Sequence, residues 1–176
     1  MTVKFKAEPK ADLEFEFPKK LNWQELDVQG QPLPIHMKFV DIIIERETDI
    51  LLIEIKDPSN VLSKEKDQEK YCKRLLDNSV LKQDLTPKAR DSYAYMHLME
   101  RDIKPFKYIV LLGLDAFEQQ VQTAILTGFK DRLMSDIQNE GQGWKRKYIK
   151  DCAVLTVAQW NKVFDWPLKR ISAQPQ

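Results

Sequence analysis

Met37-Lys38-Phe39-Val40-Asp41-Ile42-Ile43-Ile44-Glu45-Arg46, then Glu47-Thr48-Asp49, then Ile50-Leu51-Leu52-Ile53-Glu54-Ile55-Lys56-Asp57-Pro58 is the stretch that decides the fold. Its two flanks are β-branched and apolar, and its middle is short and polar. That pattern predicts a β-hairpin. The middle lacks Asn-Gly, so the turn type is open. In the second flank Ile50 and Leu52 share a face with Glu54 and Lys56, while Leu51, Ile53 and Ile55 share the other. A strand apolar on both faces belongs in the interior of a sheet.

The register decides what the charged residues can do. A two-residue turn at Thr48-Asp49 sets Asp41 opposite Lys56, and one at Glu47-Thr48 sets it opposite Glu54. Either places Asp41, Glu54 and Lys56 on one face, and an odd-length turn moves Asp41 to the other. Burying such charges costs several kcal/mol unless they are paired or bind an ion. Two adjacent carboxylates suit a hard divalent cation. A lysine beside them can orient a metal-bound water and stabilise developing negative charge.

Outward from the hairpin, Leu13-Glu14-Phe15-Glu16-Phe17 alternates as a half-buried strand and Pro18 ends it. Residues 1–12 read as a loose or edge segment, Leu21 to Val28 as one or two helical turns, and Gln29 to Pro34 as a turn or loop. Ser63 is expected to cap a helix running to about Asp77. Thr86, with Pro87 after it, is expected to cap a second helix running to about Arg101. Phe106 to Leu112 reads as a buried strand. Val121, Ile125, Leu126, Phe129, Leu133 and Ile137 predict one long amphipathic helix from Phe117 to Gln138, stopped near Gly141. Ala153 to Val157 closes the strand list, a short helix carries Trp160, Val163 and Phe164, and the tail from Trp166 is expected to be irregular. Trp23, Trp160 and Trp166 read as packing residues. The order predicts an α/β (α+β) fold in a single domain, residues 1–176: a central mixed sheet flanked by helices, with its core at about 13–157 and a C-terminal helix and tail at 158–176.

Asp41, twelve intervening residues and then Glu54-Ile55-Lys56 at the end of the next strand resembles the PD-(D/E)xK, or restriction-endonuclease-like, nuclease superfamily. The resemblance spans about residues 13–157. It implies a core of helix, three-strand meander, helix and strand. It also implies Mg²⁺ or Mn²⁺ held by Asp41, Glu54 and the carbonyl of Ile55, with Lys56 as the catalytic lysine. Val40 stands where the family name has proline. The family's leading helix often supplies a further acid, and Glu14, Glu16 and Glu25 are the candidates here. Gln68 and Tyr71 loosely match a glutamine and a tyrosine that some relatives carry on the following helix. The implied activity is metal-dependent phosphodiester hydrolysis, with DNA as substrate and a homodimer as one arrangement. The alternative is an inactive nuclease-like fold that binds nucleic acid or protein. A further rival is an unrelated interaction protein in which Glu54 and Lys56 form a structural pair.

Composition narrows the partners. With 28 basic and 27 acidic residues the net charge is +1, so a nucleic acid must be met by local patches. One such patch follows the motif: Lys64, Lys66, Lys70, Lys73 and Arg74. A second is Gly143-Trp144-Lys145-Arg146-Lys147-Tyr148-Ile149-Lys150, where Lys145, Arg146, Lys147 and Lys150 are candidate phosphate contacts beside aromatics that stack on bases. Cys72, Cys152, His36 and His97 lack zinc-ligand spacing, and the cysteines read as reduced core residues. No run approaches the roughly 18 apolar residues of a membrane span, and Met1 to Lys10 carries no apolar signal core. A cytoplasmic protein with no membrane partner is expected.

Overall fold

The computed structural model describes residues 1–28, 34 and 36–173. The loop expected from Gln29 to Pro34 lies almost wholly outside them. Two sheets are present. The larger runs in the order β3-β4-β5-β6-β7, with β3 Asn22–Glu25, β4 Ile42–Glu45, β5 Ile50–Lys56, β6 Phe106–Leu112 and β7 Asp151–Thr156. The first three form an antiparallel meander, and β5, β6 and β7 are parallel. Parallel neighbours need a crossover. The first crossover holds α1 Glu65–Leu76, a π-helical turn Leu81–Leu85 and α2 Thr86–Leu98, and the second holds α3 Gln119–Leu126 and α4 Phe129–Glu140. The smaller sheet is antiparallel in the order β1-β2-β8, with β1 Thr2–Phe5, β2 Leu13–Pro18 and β8 Leu168–Arg170.

The layers follow from β5, whose residues Ile50 to Glu54 are buried on both faces. On one side Ile43, Leu52, Tyr108 and Val110 pack against Leu75, Leu85, Met96, Phe129 and Leu133 of the helices. On the other Ile42, Ile44, Leu51, Ile53 and Leu111 pack against Phe5, Phe15, Phe17 and Trp160. Trp160 belongs to α5 Val157–Val163, which Thr156 and Gln159 start with a capping box. Its buried indole N–H donates to the Trp166 carbonyl at 2.8 Å.

Five local expectations are corrected. Leu21 to Val28 is not helical: Trp23 and Glu25 pair with Ile44 and Ile42, and the ladder satisfies backbone groups that an isolated helical turn leaves open. Ser63 does not cap α1, which follows Lys64 and has no side-chain cap, and Thr86 does not cap α2. The Thr86 amide bonds to Leu81 O across the π-helical turn, so the chain runs straight into α2, and Pro87 falls where no further N–H is required. The helix expected from 117 to 138 is two helices, because Gly128 adopts φ +65° and turns the chain between them while apolar spacing persists in each. The tail is not irregular: Leu168 pairs with Phe15 and Arg170 with Leu13, which draws residues beyond 157 into the core.

Candidate active site

Ile42 pairs with Ile53 and Glu45 with Ile50, and the Arg46 amide bonds to Asp49 O at 2.9 Å. Glu47 and Thr48 therefore form the turn, and the same register carried one step past β4 sets Asp41 opposite Glu54. Asp41 stays in line because the Leu26 amide bonds to its carbonyl at 3.0 Å, extending the β3–β4 ladder. Asp41, Glu54 and Lys56 consequently converge on the helix-covered face, at the C-terminal end of β5.

The cluster has two levels. At the floor Glu54 is fully buried, and the ammonium groups of Lys56 and Lys88 each lie 2.8 Å from its Oε1. These are ion-pair distances without hydrogen-bond angles, and Oε2 has no partner among the described residues. Lys56 also reaches Asp84 at 2.9 Å, and Lys88 lies 3.7 Å from Asp27. Asp84 and Lys88 are four residues apart, so the π-helical turn and α2 present both to the sheet on one side. Above this floor Asp41 Oδ2 accepts the Ile55 amide at 2.6 Å. Asp41, Asp27, Lys56, Gln68 and Tyr71 line a cleft of about 490 Å³.

Each ionisation has a physical cause. Burial, reinforced by the like charge of Glu54, pushes the Asp41 carboxyl up to about 7. Burial alone would discharge Lys56, but Glu54, Tyr71 and Asp84 outweigh it and hold its ammonium above the ordinary lysine range. Lys88 is raised against burial chiefly by Glu54. Asp84 would rise on burial, yet Lys56 holds it below the usual carboxylate range. Burial raises the Tyr71 phenol, whose oxygen has no hydrogen-bond partner among the described residues.

Gln68 and Tyr71 of α1 are brought to the site, Gln68 through a 2.7 Å bond to the Asn60 carbonyl that ties the helix to the loop after β5. The three candidate acids are not. Glu14 and Glu16 lie outward on the small sheet, paired with Lys4 at 2.8 Å and Lys169 at 2.7 Å, because Leu13, Phe15 and Phe17 take the inward positions of β2. Glu25 shares a face with its partner Ile42, opposite to that of Asp41. Asp27 and Asp84 supply the extra carboxylates, and Lys88 a second ammonium. The signal for the latter two was the Asp84/Lys88 spacing, which reads from sequence as an ordinary helix start. Lys145, Arg146, Lys147 and Lys150 precede β7 at the other end of the parallel strands, where the Lys150 amide bonds to Phe106 O at 2.8 Å. Six strand rises, roughly 20 Å, separate that end from Lys56. Cys72 and Cys152 are free thiols.

Gly113 fastens the mouth of the cleft. Its amide bonds to Lys56 O at 2.8 Å, and a Cβ at this position would stand 2.1 Å from Asp57 Oδ1. Gly113→Ala is expected to cost about 2 kcal/mol in urea denaturation, as overpacked sites do. An unchanged midpoint would mean that Asp57 moves aside freely.

Among the described residues no three Asp, Glu, His or Cys side chains form a ready cation cage. The donor set is the carboxylate pair Asp41 and Glu54, with strand backbone between Glu54 and Lys56. Mg²⁺ is commonly bound by one or two carboxylates together with substrate phosphates and water, so the pair fits it. The orphaned buried Oε2 of Glu54 is the atom such an ion would satisfy. No family profile, curated protein or solved structure matches this chain. No helix among the described residues is long and apolar enough to cross a membrane.

Proposed function

We propose that the cleft is the active site of a metal-dependent phosphodiesterase of the PD-(D/E)xK type, acting on DNA. The observation that carries this reading is the register that sets Asp41 opposite Glu54, with Lys56 two residues on at the same strand end. The element order supports it as well: meander β3-β4-β5, helices, then β6 parallel to β5, with β1 and β2 in place of the leading helix.

Asp41, Glu54 and the Ile55 carbonyl would hold Mg²⁺ or Mn²⁺, which when bound polarises the scissile phosphate and lowers the pKa of a coordinated water. Lys56 keeps its proton and faces the cleft, so it places positive charge where charge develops on the phosphoryl oxygens. Asp84 holds the Lys56 ammonium from behind. Lys88 sets a second ammonium against the Glu54 carboxylate at the floor. Gln68 and Tyr71 wall the side formed by α1.

One observation favours the inactive binding module instead: two ammonium groups already stand at 2.8 Å from Glu54 Oε1, where a cation would compete with them. The readings separate in one experiment. Plasmid and single-stranded DNA are incubated with Mg²⁺ or Mn²⁺ and wild type, Glu54→Ala or Lys56→Ala protein, with folding checked by circular dichroism. Cutting that requires the metal and disappears in both folded variants is the expected result. A folded wild type that neither cuts with any divalent ion nor gains thermal stability from one would overturn the enzyme reading.

A further inference from the structure

A second cleft, of about 470 Å³, opens at the opposite end of the central sheet, where β6 begins. Its wall holds Tyr148 and Ile103, and Ile103 is 87% exposed. At its rim the indole of Trp144 is 50% exposed and lies 5.3 Å from the Tyr148 ring, tilted at 57°. An exposed indole and isoleucine beside a concave wall form an apolar surface left open to a partner.

Cations outnumber carboxylates around this surface. Lys145, Lys147 and Lys150 are exposed and form no ion pair among the described residues. The carboxylate in the cleft, Asp102, is already met by Arg146 at 2.6 Å and His97 at 2.7 Å. A hydrogen bond from His97 holds that carboxyl below its ordinary range, and the His97 and Arg146 contacts both fall on its Oδ2. The remaining lysine charge is therefore uncompensated and points to an anionic occupant.

We propose that this cleft binds single-stranded nucleic acid, with Lys147 and Lys150 on phosphates and Trp144, backed by Tyr148, stacked on a base. Lysines interleaved with an open aromatic face match a chain that alternates phosphates and flat bases. A duplex keeps its base faces stacked inside, out of reach of an indole on the surface. The site is separate from the Asp41–Glu54–Lys56 cluster and anchors a strand without cutting it, so it holds whether or not the first cleft is catalytic.

The test is fluorescence anisotropy of a labelled, mixed-sequence single-stranded oligonucleotide in EDTA, where metal-dependent cleavage is silent. Saturable binding that weakens with salt is expected for wild type. Trp144→Ala should weaken it about tenfold, within the range of one lost base stack. The Lys147→Ala/Lys150→Ala double variant should weaken it at least as much and lower the slope of log affinity against log salt by roughly 1.4. All three side chains are exposed, so the variants should melt like wild type. Absence of saturable binding, or binding unaltered in both variants, overturns the proposal. Poly-glutamate binding as tightly as the oligonucleotide and displacing it would also overturn it, in favour of an acidic protein segment.

Discussion

Asp41→Asn is expected to abolish the proposed metal-dependent cleavage and, in the same molecule, to stabilise the metal-free protein at pH 8. The two effects share a cause. In the folded chain burial and the neighbouring Glu54 push the Asp41 carboxyl up to about 7, from an ordinary value of 3.8. Between those values the folded state keeps a proton that the unfolded state has released. The stability from this group is thus fully present below pH 4 and is lost as pH rises through 7, by on the order of 4 kcal/mol. Asparagine keeps an oxygen to accept the Ile55 amide but has no charge to bury, so it escapes the loss. Urea denaturation in EDTA should show the variant near wild type at pH 4 and clearly more stable at pH 8. The proposed cleavage should fall by about 100-fold or more, since removing a residue proposed to hold the metal forfeits several kcal/mol of transition-state stabilisation. A variant no more stable than wild type at pH 8 would show that Asp41 ionises without penalty, and with it the strained carboxylate pair would go.

Arg170→Met should be the most damaging substitution outside the hydrophobic layers, at about 3 kcal/mol. Arg170 is 10% exposed and holds Asp12 at 2.9 Å, Asp57 at 2.8 Å and Asp115 at 2.9 Å. Without it two well-buried carboxylates and a half-exposed one face each other with no cation. Burial already raises the Asp57 carboxyl. Burial works the same way on Asp12, but bonds from Ser172 and Arg170 outweigh it and hold that group low. The contribution of Asp12 is present at neutral pH and is lost as pH falls through its lowered value. The penalty of the substitution should therefore shrink in acid, and Asp57→Asn added to Arg170→Met should recover part of it. Because Asp57 follows Lys56 directly, the clamp also ties β8 to the strand end that carries the site. A loss below about 1 kcal/mol at pH 7 would mark the cluster as a water-screened surface network.

Much of this organisation is legible in the residues alone. The double-faced apolar run Ile50 to Ile55 requires a central strand, and Phe106 to Leu112 a second one. Period-two alternation in Leu13 to Phe17 assigns one buried face. Proximity of Asp41, Glu54 and Lys56 follows from hairpin parity for either even turn. These are local properties, set by which way successive side chains point. Tertiary structure decided the remainder. The choice between Glu54 and Lys56 as the partner of Asp41 depended on which two residues turned, a matter of pairing energy along the whole ladder. Trp23 and Leu168 joined strands because edges of existing sheets were there to pair with, which no short window records. Asp27, Asp84 and Lys88 reached the site from separate elements, because a buried Glu54 must be met by whatever charge the packed helices bring. The basic segment 143–150 was plain in sequence, but its distance from the cleft was set by the direction of β6 and β7. Chain order names the charged residues, and only the packing of sheet and helices determines which of them meet.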